Sequence, residues 1–125
     1  MTLPVKTVFI ISDGTGITAE TFSHSVLSQF SENYEFQQIR EPFVNSEAKS
    51  IEIANKINEL SEKDSPPIIF STLVKEEFVR HIRGSKGIFL DIFGACVKQL
   101  ESELDVKSQP AIGRSHLNAS SDAYR

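Results

Sequence analysis

A polar, glycine-bearing segment near the start of the chain holds the residue types best suited to binding an anion. It follows an apolar run at residues 8–11 and precedes a helix-like pattern. Glycines allow positive φ or close backbone approach to a ligand, and the N–H groups at the start of a helix attract anions because they lack partners. We therefore predict that this segment binds phosphate or another anionic group through Ser12, Gly14, Thr15, Gly16 and Thr18.

Asp13 lies inside the same segment and suits a different task. A carboxylate alone is a poor phosphate ligand, but it is a good general base or metal anchor. We predict a catalytic role for Asp13 and no bound metal. The segment matches neither the dinucleotide fingerprint nor the lysine-bearing phosphate loop, because no lysine lies between Thr7 and Lys49. The alternative is an ordinary turn in which Thr15 caps the helix.

Four short runs predict the strands that hold this segment in place. Residues 8–11 and 68–70 are continuously apolar, as in strands covered on both faces, whereas residues 35–40 alternate and suit a sheet edge. Residues 87–90 form the fourth run, and helical patterns separate the runs. Right-handed crossovers then predict an α/β fold of four βα units: a parallel sheet of order 2-1-3-4 with helices on both faces, Rossmann-like or flavodoxin-like.

The strand ends extend the predicted site beyond the first loop. Ligands of open α/β sheets bind at the carboxyl ends of the strands, where the strand order reverses. Ser71 and Thr72 follow the third strand, and Asp91 follows the fourth. We expect Ser71 and Thr72 to face the Gly14 loop as ligand-binding residues, with helix capping as the alternative, and Asp91 to share their pocket.

Apolar spacing also predicts which side chains are buried in two of the helices. In the first helix, one stripe of a 3.6-residue period contains Phe22, Val26, Leu27 and Phe30. Cys96 lies in an apolar helical pattern near the end of the chain, so we expect a buried, inert thiol.

Composition limits the classes of function. The chain has 125 residues, 39% hydrophobic and 24% charged, which is ordinary for a globular protein. A net charge of −4 argues against nucleic acid as a partner. No stretch suits a membrane span or signal peptide, so we expect a cytoplasmic protein without a membrane partner. The apolar period stops at Leu104, which predicts a domain at 1–104 and a linker or tail at 105–125.

Several motifs together resemble a known family. They are residues 9–21, residues 24–30, Pro42-Phe43-Val44, residues 113–116 and Tyr124-Arg125. They are similar to the N-terminal half of the bacterial phosphoenolpyruvate synthetase (synthase) regulatory proteins. The resemblance implies a bifunctional enzyme. Its kinase activity uses ADP to phosphorylate a threonine of phosphoenolpyruvate synthetase or of pyruvate phosphate dikinase, and its phosphorylase activity uses inorganic phosphate to reverse this and releases pyrophosphate.

The resemblance also implies what the chain lacks. Family members are about twice as long and carry a Gly-Lys-Thr phosphate loop in their C-terminal half, so we expect this chain alone to be inactive and to hold no tightly bound ligand. In the complete protein, Arg114 is expected to contact a phosphate and His116 to transfer a proton. Mg²⁺ is a candidate accessory ion, and a homodimer is a candidate assembly.

Two alternatives of other classes stay open. Thr15-Gly16-Ile17-Thr18 after an apolar strand also resembles the phosphate loop of flavodoxins, which predicts an FMN-binding electron carrier. That alternative is weakened because the chain has no tryptophan, and the loops after strands three and four have no tyrosine or tryptophan to sandwich a flavin. The other alternative is a non-catalytic domain that docks onto the target enzyme.

Overall fold

The computed structural model describes residues 2–108, in which strands and helices alternate as the sequence predicts. The strands are β1 (Val5–Ile11), β2 (Glu35–Glu41), β3 (Ile68–Ser71) and β4 (Ile88–Asp91). The helices are α1 (Ile17–Leu27), α2 (Glu47–Lys63), α3 (Glu76–Arg83) and α4 (Ile92–Leu104), and a 3-10 turn, Ser28–Phe30, follows α1.

The four strands form one parallel sheet of order β2-β1-β3-β4, so the predicted fold class is confirmed. Ile11 of β1 is in register with both Glu41 of β2 and Ser71 of β3. Ser71 is in turn in register with Asp91 of β4. The carboxyl ends of all four strands therefore meet at one edge of the sheet.

The core has two layers because β1 is covered on both faces. Phe9 and Ile11 belong to a cluster that includes buried side chains of α2 and α3. Val8 and Ile10 belong to the cluster on the opposite face, with Ala19 and Leu27 of α1. An unbroken apolar strand is the pattern that such double coverage requires.

The buried face of α1 differs from the predicted stripe. Leu27 is buried and Val26 is half-buried, but Phe22 and Phe30 are exposed. Ala19 and Ser23 are the other buried residues of α1, and Phe22 keeps an edge contact with the Phe70 ring, with the two ring centres 6.2 Å apart. The Ser23 hydroxyl donates to the carbonyl oxygen of Glu20 at 3.0 Å, so this small polar residue is buried without an unmade hydrogen bond.

The prediction that Cys96 is buried is wrong, because its side chain is exposed. The helix that carries it, α4, has no fully buried residue. It follows the edge strand β4 and packs on the sheet mainly through Ile92 at its start. The apolar pattern of α4 therefore does not lead to burial, because this helix follows a strand at the edge of the sheet.

The last described helix ends at Leu104, and Asp105 after it adopts a left-handed backbone. The predicted domain boundary between residues 104 and 105 stays a prediction, because most of the predicted tail, 109–125, lies outside the described residues. Within residues 2–108, none of the helices has the length and hydropathy needed to cross a lipid bilayer.

Candidate functional site

Hydrogen bonds join the loop after β1 to the loop after β3. The backbone N–H of Thr72 donates to the carbonyl oxygen of Ile11 at 3.0 Å, which continues the sheet ladder past the end of the strand. Beyond it, the N–H of Val74 donates to Oδ2 of Asp13 at 3.3 Å. Asp13 therefore lies at the same sheet edge as Ser71 and Thr72, as a parallel arrangement predicts.

The loop after β2 is attached to the same segment through the backbone. Val44 N–H donates to the carbonyl oxygen of Ser12 at 2.9 Å, and Phe43 N–H donates to that of Gly14 at 2.8 Å. Ser12 N–H donates to the Glu41 carbonyl oxygen at 3.1 Å. These bonds fix the backbone of the SDGTG loop, by which we mean Ser12–Gly16, from one side.

The N-terminus of α1 opens directly from the SDGTG loop. Its N-cap is Gly16, in a left-handed conformation with φ 88°, and glycine has no side chain that could cap the helix. Thr15 Oγ1 accepts only the Ile17 N–H, at a long 3.4 Å, so the alternative of a Thr15 N-cap is not what the structure shows. The N–H groups of Thr18 and Ala19 have no acceptor among residues 2–108. Such donors are the groups that an anion satisfies.

Two of the predicted hydroxyl residues lie on the α1 side of the sheet. Alternation along β1 and β3 places Ser12 and Thr72 on the face of Ile10 and Phe70, which is the face that α1 covers. Both residues are only 5% exposed. Ser12 Oγ accepts the Gly14 N–H at 3.0 Å. The Thr72 hydroxyl makes no hydrogen bond within residues 2–108, and solvent reaches it, because none of the buried side-chain polar atoms in that range lacks a partner.

Ser71 lies on the opposite side. It is fully buried, and its Oγ accepts the Leu73 N–H at 3.2 Å, so the hydroxyl stabilises the turn after β3. Asp91 shares the sheet edge, but its Oδ1 accepts the Gly94 N–H at 2.9 Å and caps α4. Thr72 thus lies on the same side of the sheet as Ser12 of the SDGTG loop. Ser71 and Asp91 instead make local hydrogen bonds that stabilise a turn and the start of a helix.

The two glycines of the loop differ in geometry. Only Gly16 has a positive φ. At Gly14 a Cβ atom would meet nothing closer than Ser12 Oγ, at 3.9 Å, so the loop surface there is open. Gly14 therefore offers room for close approach of a ligand, whereas Gly16 supplies the backbone conformation that starts the helix.

Asp13 has an electrostatic environment suited to proton transfer. Burial raises the pKa of its carboxyl above the ordinary value, and the Val74 N–H and the charge of Lys75 oppose this without cancelling it. Lys75, the exposed N-cap residue of α3, is not among the site residues that the sequence predicts. Its ammonium lies 5.7 Å from the centre of the Phe78 ring. Its position three residues after Thr72 is the feature of the sequence that could have placed Lys75 near the site.

Arg114 and His116 lie outside the described residues, so their assigned roles stay predictions. Within residues 2–108, no group of three His, Cys, Asp or Glu side chains could hold a metal ion.

Comparisons with known proteins agree with the family that the motifs resemble. A family model described as kinase/pyrophosphorylase matches residues 8–125. Relatives in Bordetella avium and Cupriavidus metallidurans are 50% identical over 121 residues and 49% identical over 122, covering 96% and 97% of this chain. A relative in Herminiimonas arsenicoxydans is 51% identical over 121 residues, 96% of this chain. All three carry the name phosphoenolpyruvate synthase regulatory protein, and the chain spans only 44%, 44% and 42% of their lengths.

Proposed function

Because the chain belongs to the kinase/pyrophosphorylase family, we propose that it forms the N-terminal part of a bifunctional cytoplasmic phosphotransferase. Its target is phosphoenolpyruvate synthase, the enzyme named in its relatives, or pyruvate phosphate dikinase. The forward reaction moves a phosphoryl group from ADP to a threonine hydroxyl of the target and leaves AMP. The reverse reaction moves that phosphoryl group from the phosphothreonine to inorganic phosphate and releases pyrophosphate.

The observation that carries this proposal is the uncapped N-terminus of α1. The Thr18 and Ala19 amides lack acceptors among residues 2–108, and they belong to the helix that begins directly after the SDGTG loop. Together with the hydroxyls of Ser12, Thr15 and Thr72, they form a set of donors for one phosphate group. The phosphate bound here is the one transferred to, or removed from, the threonine.

Asp13 is the proposed general base. In the forward direction it accepts the proton of the threonine hydroxyl as that oxygen attacks the phosphoryl group. In the reverse direction it accepts a proton from the attacking inorganic phosphate and passes it to the threonine oxygen as the bond between that oxygen and phosphorus breaks. A pKa raised by burial brings the carboxyl closer to neutral pH, where a base is most effective. Arg114 and His116 complete the site in the longer protein.

A titration with inorganic phosphate tests the binding site on the 125-residue chain. We expect NMR amide shifts at Gly16–Glu20 that saturate with phosphate concentration. The N-terminus of α2 is the matched control, because there Ser46 Oγ already accepts the Lys49 N–H at 3.1 Å. Equal shifts at the two helix starts, or shifts at α2 alone, would contradict the proposal.

An activity assay tests whether these 125 residues can catalyse phosphoryl transfer without the rest of the proposed enzyme. The 125-residue chain, incubated with ADP, Mg²⁺ and phosphoenolpyruvate synthase, should give no phosphothreonine by mass spectrometry, because it lacks a phosphate-loop lysine. The same protein extended to the length of its relatives should give phosphothreonine, and Asp13→Asn should abolish it. Full turnover by Asp13→Asn would exclude Asp13 as the base.

A further inference from the structure

Helix α4 carries a row of apolar side chains that the described part of the chain leaves uncovered. The row consists of Ile92, Cys96, Leu100 and Leu104, which recur every four residues and therefore lie on one side of the helix. Ile92 packs against the core cluster on the α1 side of the sheet. Cys96 is exposed, and the two leucines are 54% and 62% exposed. The row therefore begins at the core and continues into solvent.

The edge strand β4 adds apolar side chains on the same side of the sheet. Leu90 is in register with Phe70, which is buried in the cluster that the start of α4 contacts. Ile88 is in register with Ile68, which packs against the same cluster. Residues in register point to one face of a sheet, yet Ile88 and Leu90 are exposed, and within residues 2–108 no strand pairs with the outer edge of β4. We call Ile88, Leu90, Leu100 and Leu104 the β4–α4 surface.

After α4 the chain turns back toward the helix. Asp105 has a left-handed backbone, with φ 56°, directly after the last helical residue. The backbone N–H and the hydroxyl of Ser108 both donate to Oε2 of Glu101, each at 2.9 Å. Since Glu101 lies between Leu100 and Leu104 along α4, these two bonds hold Ser108 against the last turns of the helix. The sequence after Ser108 therefore starts next to the β4–α4 surface.

We propose that the part of the longer protein that follows residue 125 packs on the β4–α4 surface. This inference rests on the proposed function, which makes the chain the N-terminal part of that protein. The relatives are long enough to supply the partner, because the chain spans only 44% of the length of two of them. A tethered partner that starts beside the surface also meets it at a high effective concentration, whereas a second copy of the chain must be recruited from solution.

Cys96 provides a probe of this surface, because it is the only cysteine of the 125 residues and lies between Ile92 and Leu100 in the apolar row. Its alkylation by N-ethylmaleimide can be followed by peptide mass spectrometry. We expect this alkylation to be at least about tenfold slower in the protein extended to the length of its relatives than in the 125-residue chain. Asn55→Cys places a control thiol on the exposed side of α2, across the sheet, and it should react at similar rates in both proteins.

A substitution in the row separates packing from folding. Leu100→Gln keeps a good helix former at an exposed position, so the thermal midpoint of the 125-residue chain should change by less than about 2 °C. In the extended protein the same substitution should speed the alkylation of Cys96 at least about fivefold, because it weakens the packing that covers the thiol. Phe30→Gln alters a similarly exposed apolar residue after α1 and should leave Cys96 alkylation unchanged.

Slow alkylation of Cys96 in the extended protein alone, reversed by Leu100→Gln, supports the proposal. Equal rates at the two lengths overturn it, and so does protection that persists in Leu100→Gln. Protection already present in the 125-residue chain also overturns it, and its loss on dilution would identify a second copy as the partner. The assay contains neither nucleotide nor phosphate, so a negative phosphate titration would count against the proposed phosphate site and leave this result standing.

Discussion

The carboxylate of Asp13 accepts a hydrogen bond from the backbone N–H of Val74, 61 positions along the chain, at 3.3 Å. The bond holds a half-buried acidic side chain against the loop after β3. The hydrogen bond and the charge of Lys75 both favour the ionised carboxylate, yet burial outweighs them and the pKa is raised. The fold therefore disfavours the ionised form of Asp13.

This relationship predicts how the stability of an Asp13→Asn variant depends on pH. Because the pKa of Asp13 is raised in the folded state, protonation of this carboxyl stabilises the fold. This contribution to stability is complete below the ordinary pKa of 3.8 and is lost as the pH rises through the raised pKa. At pH 7 Asp13→Asn should thus melt at a higher temperature than the original chain. The difference should vanish near pH 3, as followed by circular dichroism.

Glu47 should show the opposite dependence of stability on pH. Hydrogen bonds from His81 and Arg80, each 2.7 Å from Glu47 Oε2, hold the pKa of Glu47 below its ordinary value of 4.5. Its stabilising contribution is present above 4.5 and lost as pH falls through the lowered pKa. Glu47→Gln should therefore melt slightly earlier than the original chain at pH 7 and equally at low pH. A higher midpoint at pH 7 would contradict this.

The two loop glycines should respond differently to alanine. Gly16→Ala forces a Cβ into a backbone with φ 88° and should lower the free energy of unfolding by about 1 kcal/mol, or the midpoint by about 4–8 °C. In Gly14→Ala the new Cβ makes only an ordinary contact with Ser12 Oγ at 3.9 Å and should change stability by less than about 0.5 kcal/mol. Its methyl group would nevertheless obstruct phosphate approach. Calorimetry with and without phosphate measures both effects, and normal phosphate affinity in Gly14→Ala would argue against binding at this loop.

Gly87 is required by packing at the start of β4. An alanine Cβ there would lie 2.6 Å from Ile69 Cδ1 and 2.9 Å from the Pro67 carbonyl oxygen. Because a backbone atom cannot move aside like a side-chain end, Gly87→Ala should destabilise the domain by about 1–3 kcal/mol in urea unfolding. Gly84→Ala is the control, since its nearest contact is 3.2 Å and its φ is −78°. It should cost less than about 1 kcal/mol.

Glu41 should contribute more to stability than an exposed ion pair. Its side chain is 8% exposed and lies 3.0 Å from Lys56 Nζ and 3.7 Å from Lys49 Nζ. Glu41→Gln weakens both contacts and should cost about 1–2 kcal/mol. Glu76→Gln, at an exposed pair with Arg83, should cost less than about 1 kcal/mol. Equal losses in urea unfolding would show that burial does not strengthen the Glu41 contacts.

The sequence by itself determined the order of elements and the topology of the sheet. Two continuously apolar strands must be covered on both faces and therefore lie inside the sheet, while the alternating strand at Glu35–Glu41 belongs at an edge. The Ser46 cap is equally local, because a cap depends on residues three positions apart. The same logic placed the SDGTG loop at the carboxyl edge of the sheet.

Only the tertiary structure decided which side chains of each element are buried and which are brought together. Hydrophobic periodicity favoured Phe22 over Ser23, but in the folded chain Ser23 is buried, while Phe22 stays exposed and contacts the sheet only through the edge of the Phe70 ring. Asp13 meets Val74, and Phe43 meets Gly14, across long separations in sequence that no local pattern encodes. The left-handed backbone of Phe43 arises because its neighbours are fixed in the core and on the SDGTG loop, so its conformation and exposure follow from packing and not from its residue type.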